Sequence, residues 1–143
     1  MKVTADSAAT AAGPTDEISL PQGLVGFPDY DRFAVVYQED QLPFCWMRLM
    51  GPNDELHFVV VEPGNVMPDY EPELYDEDAS YLELSEPADA MVLNIVTVTH
   101  GAQATATVNL TGPVVINRRT GKAKQVVLAN HQQYSARHPL VTG

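Results

Sequence analysis

The chain has 143 residues, 45% of them hydrophobic, and its nineteen Asp and Glu against eight Lys and Arg give a formal net charge of −11. That length suffices for one domain with a real core and is too short for two comfortable ones. The acidity opposes a nucleic-acid role, because phosphate binding needs a basic field. A single cysteine, Cys45, excludes an intrachain disulfide and fits a reducing cytosol.

The charge is segregated along the chain. All nineteen acids lie within the first 89 positions with three bases, while residues 90–143 hold five bases and no acid. Nine of the acids crowd into Asp69 to Asp89 with no base among them. Such a stretch sets up a strong local negative potential, which serves either to attract a basic partner or simply to solubilise a face.

Residues 1–15 are Ala-, Thr- and Ser-rich and lack apolar periodicity, so they read as a flexible tail ahead of one domain over 16–143. Thr4, Asp6, Ser7 and Thr10 interrupt any export-signal core, and apolar runs such as Phe58 to Val61 fall far short of a bilayer span. A cytoplasmic protein without a membrane role is expected. Gly23 and Gly26, beside Pro21 and Pro28, read as turn residues and lack the spacing of a phosphate loop.

Short apolar runs closed by Asp, Pro or Gly then follow: Phe33 to Tyr37, Phe44 to Met50 and His57 to Glu62. The segment 66–74 (VMPDYEPEL) joins two stiffening prolines, the apolar Met67 and Tyr70, and the acids Asp69, Glu71 and Glu73. A stiff loop with an aromatic and a charged rim suits an interface. The same composition equally fits a loop whose Tyr70 packs inward. A helix is predicted between Pro72 and Leu84, its acids near the start, where the helix dipole tolerates them.

Met91 to Thr99 is apolar on both faces and reads as a central strand. Ala104 to Thr111 alternates cleanly, with Ala104, Ala106, Val108 and Leu110 on one face. Val114 to Asn117 and Lys124 to Leu128 flank a turn in which Gly121 can take positive φ, which predicts a β-hairpin. A last short turn is expected between Asn130 and Ala136. The sum is a mainly β, small single-domain antiparallel β-barrel with one or two short helices.

His57, His100, His131 and His138 show no metal-ligand spacing, and Asp76-Glu77-Asp78 would point in different directions, so no metal or other cofactor is predicted. A metal-dependent or hydrolytic enzyme using the acidic cluster and a histidine such as His100 is the alternative reading. Arg118, Arg119, Lys122 and Lys124 form the one basic cluster. It reads as a solvated hairpin tip rather than a nucleic-acid contact, with attraction to the acidic cluster within the fold also open.

Taken together, the segments resemble the FliW family of flagellar assembly factors. The resemblance is carried in order by LPQGLVGFP at 20–28, FVVVEP at 58–63, PDYEPEL at 68–74, NIVTV at 94–98, TVNL at 107–110, GPVVIN at 112–117, KQVVL at 124–128 and YSARHPL at 134–140. It implies a compact β-barrel that is not an enzyme. It also implies a binder of CsrA, a small basic dimer that represses flagellin mRNA translation, and of flagellin itself, whose secretion would release the factor to capture CsrA. For the CsrA contact, charge and loop stiffness point to Asp69, Tyr70, Glu71, Glu73, Asp76, Glu77 and Asp78, with no direct nucleic-acid contact. No residues are assigned to flagellin.

Overall fold

A computed structural model describes residues 1–3, 17–37, 40, 44–63, 67, 69–99 and 105–140. Nine strands and one short helix follow in chain order: β1 (Ile18–Ser19), β2 (Arg32–Tyr37), β3 (Phe44–Met50), β4 (Glu55–Val61), α1 (Asp76–Tyr81), β5 (Ala90–Thr99), β6 (Thr105–Val108), β7 (Val114–Asn117), β8 (Ala123–Gln125) and β9 (His138–Pro139). All ladder pairings are antiparallel.

The long β5 organises the sheet. Its second half pairs with β4 and β6, and its first half with β7. Between Val96↔Val108 and Leu93↔Val114, three steps along β5 face six along the other chain segment. The surplus is taken up at residues 109–113, where the Asn109 side-chain oxygen accepts hydrogen bonds from the amides of Thr111 (3.1 Å) and Gly112 (3.0 Å). A parallel bridge, Ser19↔Lys122, sets β1 against the β7–β8 hairpin, so the path β1-β2-β3-β4-β5-β7-β8 curls back on itself as a barrel with a one-bridge seam.

Period-2 alternation divides the apolar residues into two cores. Phe33, Met47, Leu49, Val60, Leu93 and Ile116 belong to one, and Val61, Tyr70, Leu74, Leu82, Val92 and Leu128 to the other. Each fully buried large side chain contributes about 1.5–3 kcal/mol relative to exposure. The second core forms because the 69–84 segment and the residues after β8 pack over the sheet.

The predicted strands are present, but two are shorter than expected: the Ala104–Thr111 run ends as strand at Val108 and the Lys124–Leu128 run at Gln125. Ala104, the first residue of the alternating run, lies outside the described residues, as do Val66, Pro68, His100 and positions 4–16. The hairpin forms with Gly121 at φ 75, and a 3-10 turn at His131–Gln133 stands where the last short turn is expected.

Two expectations need correction. The helix spans Asp76–Tyr81 only, because residues 72–74 are extended and hydrogen-bonded to Met1–Val3. The first three residues are accordingly not a free tail: Lys2 bridges Glu73, the Val3 amide donates to the Pro72 carbonyl at 3.0 Å, and Val3 is buried.

Candidate functional site

The acidic segment begins where the chain crosses the second core. Tyr70 packs inward: it is buried, its hydroxyl donates to the Leu110 carbonyl at 2.6 Å, and it accepts from Asn94 Nδ2 at 3.2 Å. Burial pushes its phenol above the usual range, so it remains a protonated donor, although the Asn94 hydrogen bond acts in the opposite direction. Its ring meets Tyr134 edge-on, with centroids 4.8 Å apart.

From that anchor the backbone of residues 71–74 is held on both edges. On one edge lies Met1–Val3. On the other, the Tyr134 hydroxyl accepts from the Glu71 amide (3.0 Å), and the Asn130 side chain accepts from the Glu73 amide (3.0 Å) while donating to the Glu71 carbonyl (2.8 Å). The Ala129 amide completes the set on the Glu73 carbonyl at 2.8 Å. The carboxylates are thus carried on a fixed frame. Asp69, Glu71, Asp76 and Glu77 are exposed and Glu73 is half-buried. Lys2 lies 3.8 Å from Glu71, but both side chains are about two-thirds exposed, and a pair so screened contributes little.

Asp78 is different. It is buried, and its Oδ1 accepts from Lys124 Nζ at 2.5 Å. Of the seven residues expected to meet a partner, Tyr70 and Asp78 are therefore committed inside the fold. The physical reasons are a hydroxyl that would lose two hydrogen bonds and a carboxylate already neutralised. The other five keep exposed or half-buried carboxylates.

The basic hairpin is spent on the same region. Arg119 Nε lies 3.2 Å from Asp89 Oδ1, its guanidinium donates to the Glu83 carbonyl at 3.1 Å, and Lys122 Nζ sits 3.9 Å above the Tyr81 ring. Asn117, fully buried, donates to the carbonyls of Leu82 (2.7 Å) and Glu83 (3.2 Å) and accepts from the Arg119 amide (2.8 Å). The reading of a freely solvated tip is corrected: the base-only half of the chain docks on the acid-rich half. What remains outward at residues 69–77 is mainly carboxylate, with the exposed ring of Tyr75 among it.

A groove of about 600 Å3 opens beside this surface, with Met67, Asp69 and Tyr70 on the acidic segment and Gln132, Gln133 and Tyr134 on the C-terminal one. Sequence reasoning missed Asn130, Tyr134 and Met1–Val3, because their partners are 57, 63 and about 70 positions away in the chain. Among the described residues no group of three or more His, Cys, Asp or Glu could hold a metal ion, and no helix is long and apolar enough to cross a membrane.

Known proteins share this architecture. The family described as FliW protein matches residues 3–140. The flagellar assembly factor FliW of Natranaerobius thermophilus is 37% identical over 123 residues, covering 86% of this chain and 80% of its own. That of Geotalea uraniireducens is 38% identical over 122 residues, covering 85% and 72%. A crystal structure of the flagellar assembly factor FliW superposes with a TM-score of 0.73 at 32% identity, covering 89% of this chain and 86% of that one. With the barrel, its seam and its acidic flank in place, the chain belongs to the FliW family of flagellar assembly factors.

Proposed function

We propose that this protein acts in the cytoplasm by binding, not catalysis: it captures CsrA, relieves repression of flagellin mRNA translation, and is itself held by flagellin when flagellin accumulates. The observation that carries the reading is the set of carboxylates Asp69, Glu71, Glu73, Asp76 and Glu77, of which Glu71 and Glu73 stand on a backbone fixed along both edges from residue 71 to 74. A preset surface loses little conformational entropy on docking, and its sign suits a basic RNA-binding dimer. Tyr70 and Asp78 support that surface from below.

An acidic protein seated on CsrA places negative field where RNA phosphates would approach, so the two ligands oppose one another without the factor touching RNA. Linkage then requires that bound RNA weaken the factor's binding by the same ratio. The test is the double charge reversal Glu71→Lys with Glu73→Lys. It is expected to weaken CsrA binding by more than two isolated rim pairs would, each about 0.2–1 kcal/mol. An unchanged affinity would move the interface elsewhere.

A further inference from the structure

We infer that the groove between the acidic segment and the 132–138 segment is a binding site for an extended peptide that places a cationic side chain beside an apolar one. The site is built of unlike parts. Its apolar surface comes from Tyr70 and Leu110, both buried, with half-buried Met67 and Tyr134. Gln132, Gln133 and Ser135 add exposed amides and a hydroxyl, groups able to meet a peptide backbone. Asp69 supplies an exposed carboxylate that makes no ion pair among the described residues.

Three considerations select the ligand. Asp69, which lines the groove, disfavours phosphates, carboxylates and a second copy of this chain at net charge −11, and favours a cation. The volume suits about two or three residues of chain rather than the broad face of a helix. The walls are also set in advance. Tyr70 is tied to Leu110, the Glu71 amide to Tyr134, and the two rings pack edge to face, so little ordering remains to be done on binding.

The groove shares Asp69 with the proposed CsrA-binding surface, but its test needs no CsrA, so either reading can fail alone. Isotope-labelled protein is titrated with the capped hexapeptide Gly-Ser-Leu-Arg-Ser-Gly at millimolar concentration, and with its Leu-Glu counterpart, while backbone amide shifts are followed. The expected result is saturable shifts at Gln133, Tyr134 and Ser135 with the Leu-Arg peptide only. Asp69→Lys should lower the affinity by about tenfold or more, and Asp31→Lys, immediately before β2 and outside either site, should leave it nearly unchanged. Both positions are exposed, and matched melting curves confirm that the variants fold. Absence of shifts, shifts centred elsewhere, or equal binding of the Leu-Glu peptide would overturn the inference.

Discussion

Lys124 Nζ donates to Asp78 Oδ1 at 2.5 Å, joining the acid-free second part of the chain to the acid-rich first part at a site where the two side chains are 23% and 10% exposed. Few ion pairs on a protein surface are so enclosed. Removing one member leaves the other desolvated, and removing both together is far milder. Asp78→Ala is therefore expected to cost about 1–3 kcal/mol in urea unfolding. Adding Lys124→Met should restore part of that loss, giving a coupling energy by double-mutant cycle. Additive effects would show that the contact has no net worth.

Tyr70→Phe separates stability from binding. The variant leaves the buried Leu110 carbonyl without its donor and removes an acceptor from buried Asn94, so a loss of about 1–3 kcal/mol is expected. Calorimetry with CsrA should give the same affinity for the folded variant as for the parent. A stable variant with lost binding would return Tyr70 to the interface.

Glu83 occupies the left-handed region at φ 57, immediately after the helix end. The amides of Glu83 and Leu84 donate to the carbonyls of Ser80 and Ala79, both at 3.0 Å, the closing pattern that glycine usually serves. The conformation turns the Glu83 carbonyl toward Asn117 and Arg119. Relief of backbone strain exceeds the entropy that glycine adds to the unfolded chain, so Glu83→Gly should raise stability by about 0.5–1 kcal/mol. Denaturant midpoints of the two proteins decide it.

Asp89 gives the fold a pH dependence of definite sign. Burial alone would raise its pKa. The amides of Ser85 and Glu86 and the Arg119 guanidinium outweigh that and hold the carboxyl below its ordinary range. A carboxyl depressed in the folded state stabilises above its unfolded pKa, near ~3.9, and that contribution is lost as pH falls through the folded value. Unfolding midpoints across this acid range should therefore fall less steeply for Asp89→Asn than for the parent. Parallel curves would show that the carboxyl is not coupled to folding.

Cys45 should be silent in the native protein. Burial first, and the negative charge of Glu62 second, push its thiol up to about 12, so almost no thiolate exists at neutral pH. A chromogenic disulfide reagent should react only after denaturant is added. Rapid native labelling would reveal local opening of β3.

Much of the barrel was legible in the sequence because its central strands carry period-2 burial, as in Phe44–Met50, where Cys45, Met47 and Leu49 face one core. The hairpin was legible through Gly121. The two-residue strands β1 and β9 were not, since such short runs carry no period. The Ser19↔Lys122 seam joins positions a hundred residues apart, which no local pattern announces. Acids in the first helical turn marked α1, but its predicted start at Pro72 gave way to pairing with Met1–Val3. The acidic surface followed directly from charge, whereas Tyr70 and Asp78 could be sorted from their neighbours only once Leu110, Asn94 and Lys124 were seen to hold them.

The most direct test is calorimetric titration of the full chain with CsrA from the same organism, repeated with CsrA already bound to flagellin leader RNA. Binding that weakens in the presence of RNA, and weakens further with added salt, is the predicted result. Equal affinity for free and RNA-bound CsrA, or no heat and no co-elution with both proteins folded, would contradict it.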